Sequence, residues 1–193
     1  MNFSGAKIYI QKRLQEEIPS VFSYHNFQHI MDVYEAAERI AHEEGVTGEE
    51  LDLLLIAVLF HDSGFLMDRV DHELLSCEIV SRHLPDFDFL PNEIDRILGL
   101  IMATKIPQKP KNKLEEIICD ADLDYLGRND FWEIGDKLFN ELKAIGLIST
   151  RDDWNKKQLS FLEAHTYFTK SSQNLRNATK LLNIGEVKNR IQN

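Results

Sequence analysis

The sequence is poor in the residues that staple or punctuate a chain: its 193 residues include two cysteines, five prolines and nine glycines. Cys77 and Cys119 form no CxxC pair, which argues against a disulfide framework or a thiolate zinc knuckle. Long apolar runs are missing too. The longest wholly apolar stretch, Leu53 to Phe60, spans eight residues, where a membrane span needs roughly 18 or more. The opening residues, MNFSGAKIYIQKRLQEE, lack the apolar stretch of a secretion signal, so a cytoplasmic location and no membrane partner are expected. Positive charge is scarce as well, with 22 Lys and Arg against 32 Asp and Glu, a formal net charge of −10. Such a surface repels polyanions and speaks against a nucleic acid polymer as partner. A small phosphorylated ligand stays compatible, because a bound divalent cation dominates its local field.

What is present is apolar residues at helical spacing. The hydrophobic fraction of 43% and charged fraction of 28% suit a folded chain with a sizeable core. Between turn signals such as Gly45, Gly64, Pro91 and Gly146, apolar positions recur three or four apart. The pattern predicts helices over 3–17, 26–44, 49–62, 71–84, 92–104, 113–126, 130–146, 151–168 and 171–190, with no strand alternation to compete. The expectation is a compact all-α bundle in one domain, 1–193, with a core over about 20–130 and C-terminal helices 130–193 packed on it. The most loop-like stretch, KIPQKPKNK at 105–113, carries four lysines and reads as a solvated turn or a rim for anions.

The chemistry shows as polar residues where helices should be apolar. In 26–44 the inward stripe runs through Val33, Ala36, Ala37 and Ile40, and stepping back four residues at a time gives His29 and then His25. The segment 49–62 is apolar nearly all round and closes on His61-Asp62, with Gly64 just beyond. Adjacent helical residues diverge by about 100°, so His61 and Asp62 can share one ion only at a helix end. In 113–126 the stripe of Leu114, Ile117, Ile118, Ala121 and Tyr125 also contains Asp122. An unpaired buried carboxylate is costly and calls for a cation. Asp120 and Asp124 are rivals by proximity. Two imidazoles and two carboxylates suit Mn, Fe, Co, Mg or Zn with open positions for water, rather than a closed structural zinc.

These residues resemble the HD superfamily, whose pattern is a His, then His-Asp, then a distant Asp, here His29, His61-Asp62 and Asp122. Tyr24-His25-Asn26-Phe27-Gln28-His29 is similar to the YHNxxH opening of the cyclic nucleotide phosphodiesterases, and Cys119-Asp120-Ala121-Asp122-Leu123 to the ADL context of their last metal Asp. The resemblance implies an HD-type bundle and a metal-dependent phosphohydrolase with one or two divalent ions. It implies that His25 is the general acid, that His29, His61, Asp62 and Asp122 are metal ligands, and that Asp62 bridges two ions if two bind. Gln158 and Phe161 resemble the QxxF element with which those phosphodiesterases hold a purine, although a core-helix reading of Phe161 stands beside it. The chain departs from HD-GYP enzymes, lacking their GYP signature and extra histidines; Met102-Ala103-Thr104-Lys105 stands where a further His pair would fall.

His72 and Glu73 are candidates for orienting the attacking water. Against that, Asp71 reads as a helix N-cap and Glu73 as a dipole partner. Thr104 and Lys105, with Arg69, are candidate phosphate contacts by position and charge. His42 and His83 read as surface residues, and His165 is left open. The expected substrate is a small phosphorylated nucleotide, with a cyclic phosphodiester favoured. A nucleotidase, a triphosphate hydrolase or a non-catalytic nucleotide- and metal-binding module are the alternatives, and a homo-oligomer is compatible with all of them.

Overall fold

A computed structural model describes residues 1–192. They form α1 (Phe3–Glu17), α2 (Phe27–Glu43), α3 (Glu49–Phe60), α4 (His72–His83), α5 (Pro91–Ala103), α6 (Lys113–Asp122), α7 (Phe131–Ala144), α8 (Arg151–Ala164) and α9 (Lys170–Gln192). Among the described residues there is no strand, so the all-α reading holds. No helix among them is long and apolar enough to cross a membrane.

The apolar run Leu53 to Phe60 is buried on every face, because α3 is the central helix and packs against α1, α2 and α5. A helix wrapped on all sides gains from apolar residues all round. Side-chain caps set several starts. Asn26 accepts from the backbone N–H groups of Gln28 and His29 at 2.9 and 3.2 Å and starts α2. Asn112 does the same for α6 through Glu115, and Thr150 for α8 through Asp153. Each cap satisfies N–H groups that the first turn leaves open.

Several helices end earlier than their periodicity predicts, and side-chain competition accounts for three of them. α3 stops at Phe60, and Ser63 to Leu66 tighten into a 3₁₀ turn as Ser63 Oγ bonds the Phe60 carbonyl. α6 stops at Asp122, and a second 3₁₀ turn, Asp124 to Gly127, follows as Arg39 and Arg176 take the Asp124 carboxylate. α8 stops at Ala164, and the chain beyond it is drawn to Asp120 by the N–H groups of Phe168 and Thr169.

The main core joins α1 to α6, from Ala6 to Ala121. A smaller cluster gathers Leu126, Phe131, Leu162 and Val187 from the C-terminal half around Tyr24, Leu123 and Tyr125. Close approach of α9 depends on Gly127, where a Cβ would stand 2.5 Å from the Arg176 carbonyl oxygen.

Glu44, just past α2, ties down the starts of two other helices. It accepts from Ser171 N and Oγ at 2.9 and 2.7 Å and pairs with Lys113 at 2.7 Å. The Lys113 ammonium, then Ser171, hold its carboxyl down at about 2. A carboxyl depressed in the folded state contributes stability that is whole above its unfolded value and is lost as pH falls through the folded one. Thermal melts of the wild type and Glu44→Gln are therefore expected to differ most at pH 6–7 and to converge between about pH 4.5 and 2. High salt should shrink the difference at every pH, because Lys113 is half exposed.

Candidate metal centre

Four side chains from three helix ends converge. His29 lies in the first turn of α2, His61 and Asp62 follow α3 directly, and Asp122 is the last residue of α6. His29 Nε2 stands 3.5 Å from Asp62 Oδ2 and 3.4 Å from Asp122 Oδ1. His61 Nε2 stands 3.4 and 3.5 Å from the same two oxygens. Single ligand atoms of His29, His61 and Asp122 all lie within 4.8 Å of one another. His29 Nε2, His61 Nε2 and Asp62 Oδ2 are buried and have no hydrogen-bond partner. Buried polar atoms are seldom left so. Atoms each about 2.1 Å from one ion lie roughly 3.0–3.5 Å apart at angles near 90–110°, so the residues fit a divalent cation.

The surroundings fix these donors in place. His61 Nδ1 donates to the Val58 carbonyl at 2.7 Å, which leaves Nε2 to face the cluster. Tyr24 lies against the His29 ring, with centroids 4.5 Å apart. Burial opposes charge on His61, yet Asp62 and then Asp122 overcome it and raise its pKa to about 9. Burial likewise disfavours charge on Asp122, but His29 and His61 hold it far below the usual carboxylate range. The pocket is thus strongly negative and draws positive charge to its centre.

The three aspartates of residues 120–124 separate by partner. Asp120 accepts from Phe168 N, Thr169 N and Thr169 Oγ1. Asp124 is held by Arg39 and Arg176. Of the three, only Asp122 faces the histidines.

His25 stands at the entry of α2, as its spacing suggests. It precedes the Asn26 cap, and its ring centroid lies 6.0 Å from that of His29. Its Nδ1 meets Glu141 Oε1 at 2.5 Å, and Glu141 Oε2 accepts the backbone N–H groups of Tyr24 and His25 at 2.8 and 3.0 Å. The other face of the ring stacks on Phe65 at 4.4 Å. Glu141 on α7, with a side chain 1% exposed, is missed by the sequence reading. It does carry the signal used for His29, because it falls three residues after Leu138 on the stripe of Phe131, Ile134 and Leu138.

The remaining candidates divide. His72 Nε2 faces Asp62 Oδ1 at 3.4 Å and Glu73 Oε1 at 3.5 Å, so Asp62 turns one oxygen to the histidine pair and the other to His72. Asp71 stands at the N-cap position but caps nothing; it adopts left-handed backbone (φ 52°) and pairs with Lys105 at 2.9 Å. Lys105 keeps 42% of its side chain exposed in that pair, and Thr104 is buried with its hydroxyl on the Ile101 carbonyl at 2.8 Å. Gln158 is buried and does not share the cavity lined by Phe161 and His165. Its amide packs where a Cβ on Gly135 would stand 2.7 Å from Nε2. His42 is exposed, whereas His83 is partly covered and lies 5.0 Å from the Tyr9 ring.

Gly64 makes this corner possible. A Cβ there would stand 2.0 Å from the His72 carbonyl oxygen. Its N–H donates to Ser76 Oγ, whose hydroxyl bonds the His61 carbonyl. Gly64→Ala must push α4 off the 3₁₀ turn and is expected to destabilise the fold by about 1–3 kcal/mol or more. Urea unfolding of metal-free protein measures it.

A family model described as HD domain matches residues 26–124, just over half of the chain and all four converging residues. A search of curated proteins returned no match. Among solved structures, the chain is similar to a predicted HD superfamily hydrolase from an uncultured Thermotogales bacterium, at 20% identity and TM-score 0.63, covering 96% of this chain and 90% of that one. It is similar to Bacillus subtilis YpgQ in complex with ADP, at 18% identity and TM-score 0.66, covering 98% and 97%. A Lactobacillus plantarum protein matches at 16% identity and TM-score 0.68, covering 98% of each chain. At these identities the likeness concerns the fold.

Proposed function

The chain belongs to the HD domain family, and on that footing we propose that it is a metal-dependent phosphohydrolase acting on a small nucleotide. The observation that carries the reading is the set of buried, unpartnered donor atoms of His29, His61 and Asp62, with both histidine nitrogens 3.4–3.5 Å from oxygens of Asp62 and Asp122. These four residues would hold the ion, and a divalent cation there would supply acidification of water and neutralisation of phosphate charge.

The chain's own residues do the rest. Glu141 occupies Nδ1 of His25 and thereby directs Nε2 at the substrate side, where His25 gives a proton to the departing oxygen. Burial opposes a charged His25, but the Glu141 carboxylate, then Asp62, raise its pKa above the ordinary histidine value. That direction favours the protonated, acid form of His25. Phe65 packs against both the His25 and His72 rings, 4.4 and 4.6 Å from them, and holds both in place. His72, backed by Glu73 and facing Asp62, orients the attacking water. Were a second ion to bind, Asp62 would be the residue of this set able to serve both.

The Tyr24-His25-Asn26 context favours a cyclic phosphodiester. The ADP held by YpgQ favours a second reading, an acyclic nucleotide phosphate at the same site. Incubation of the Mn²⁺-loaded protein with cyclic, mono-, di- and triphosphate nucleotides, followed by product separation, decides between them. Ring opening of a cyclic nucleotide is the expected result. Consumption of mono- or triphosphates alone replaces the diesterase reading with the second, and binding without turnover across the panel contradicts hydrolysis.

A further inference from the structure

Ser76 lies on α4 one turn after His72 and Glu73, so the three side chains share one side of that helix. A serine inside a helix can return its hydroxyl to the carbonyl four residues before it, as Ser81 does to Cys77 at 2.8 Å on this same helix. Ser76 does otherwise. It is wholly buried, and its hydroxyl makes two bonds that leave α4. It donates to the His61 carbonyl at 2.7 Å and accepts the Gly64 N–H at 2.8 Å. A hydroxyl has one proton to give and lone pairs to receive another, and both capacities are used here.

His61 and Gly64 bracket Asp62 in the chain. One hydroxyl therefore grips both ends of the short turn that carries two of the four residues of the metal centre. His61 is then held at two points, by its ring through Nδ1 on the Val58 carbonyl at 2.7 Å and by its backbone through Ser76. The same bonds seat α4 against the turn. One helical turn before Ser76, His72 Nε2 meets Asp62 Oδ1 at 3.4 Å. The pieces that meet across Asp62 are thus tied together by a single side chain that stands outside the cluster.

We propose that Ser76 is a positioning residue of the metal centre, which through the His61 carbonyl and the Gly64 N–H sets the affinity of the site for its cation and aligns His72 with Asp62. The proposal rests on the metal-binding reading of His29, His61, Asp62 and Asp122. Groups that orient metal ligands without touching the ion are worth roughly 10–100-fold in affinity.

Mn²⁺ is the probe, titrated by calorimetry into the metal-free wild type, Ser76→Ala, Ser76→Cys and Ser63→Ala, with melting curves recorded for each. Ser63→Ala is the control. Ser63 is equally buried and its hydroxyl also bonds a backbone carbonyl, that of Phe60 at 2.7 Å, but this bond stays within the turn instead of reaching α4. Both alanine variants are expected to melt lower than the wild type without metal, since each loses a buried hydrogen bond. Only one should lose the ion. Ser76→Ala is expected to bind Mn²⁺ about 10–100-fold more weakly than the wild type, and Ser63→Ala to stay within about threefold of it. Ser76→Cys keeps the side-chain size with a weak donor and acceptor, so it tests the proposal even if alanine does not fold; its affinity should fall between those of the wild type and alanine, at least about threefold below the wild type. Wild-type affinity in Ser76→Cys or Ser76→Ala, or equal losses in Ser76→Ala and Ser63→Ala, overturns the role of Ser76 and leaves the metal centre standing. A wild type that binds no Mn²⁺ overturns both.

Discussion

Asp62→Ala is expected to lose metal and turnover together. Asp62 Oδ2 lies 3.4–3.5 Å from both histidine nitrogens, and its other oxygen faces His72 at 3.4 Å, so one truncation removes a ligand and the link between both halves of the site. Even groups that only support metal ligands are worth roughly 10–100-fold in affinity, and loss of a ligand should cost at least about 100-fold. Stability supplies an independent readout. A ligand at about 100 times its Kd stabilises a protein by about 2.7 kcal/mol, or roughly 5–10 °C in a domain of this size. Mn²⁺ should therefore raise the wild-type Tm by that amount and leave Asp62→Ala where it was. A variant that keeps its metal by elemental analysis, or that still gains melting temperature from Mn²⁺, contradicts the assignment of Asp62.

His25→Ala separates chemistry from metal binding. The residue is 22% exposed at its side chain, lies outside the cluster, and is held by Glu141 and Phe65. Loss of a general acid costs roughly 10²–10⁴-fold in turnover, with metal content expected to match the wild type. Glu141→Gln is the milder companion. The amide oxygen still accepts hydrogen bonds, but the negative charge that raises the His25 pKa is gone. Turnover should fall about tenfold, and the alkaline limb of the pH–rate profile should move to lower pH, because His25 then sheds its proton sooner. A purely structural Glu141 would leave that limb in place. Unchanged turnover in His25→Ala removes His25 from the mechanism.

The helices are legible in the sequence because periodicity reports which face is buried, and α3 shows its central place through an apolar run with no polar face. The same logic exposes His29 and Asp122, polar residues on apolar stripes, and the structure brings them together with His61 and Asp62. It does not rank Asp120, Asp122 and Asp124. That choice depends on Thr169 and Arg176, which arrive from some 50 positions away in the chain. Glu141 shows its buried face through the same stripe signal, but nothing local ties it to a histidine 116 residues earlier. For Thr104 and Lys105, type and position at a helix end do not reveal direction: one turns back onto its own helix, the other reaches across to Asp71. Domain-scale pattern and the buried faces of helices are local information. The partners of polar groups are not.

The central claim is that one cation is held by His29, His61, Asp62 and Asp122. Anomalous diffraction from crystals of the Mn²⁺-loaded protein, collected on either side of the manganese absorption edge, tests it most directly. A manganese peak about 2.0–2.3 Å from His29 Nε2, His61 Nε2 and carboxylate oxygens of Asp62 and Asp122 is the expected result. No peak in this cluster, or a peak coordinated by other side chains, would contradict the account.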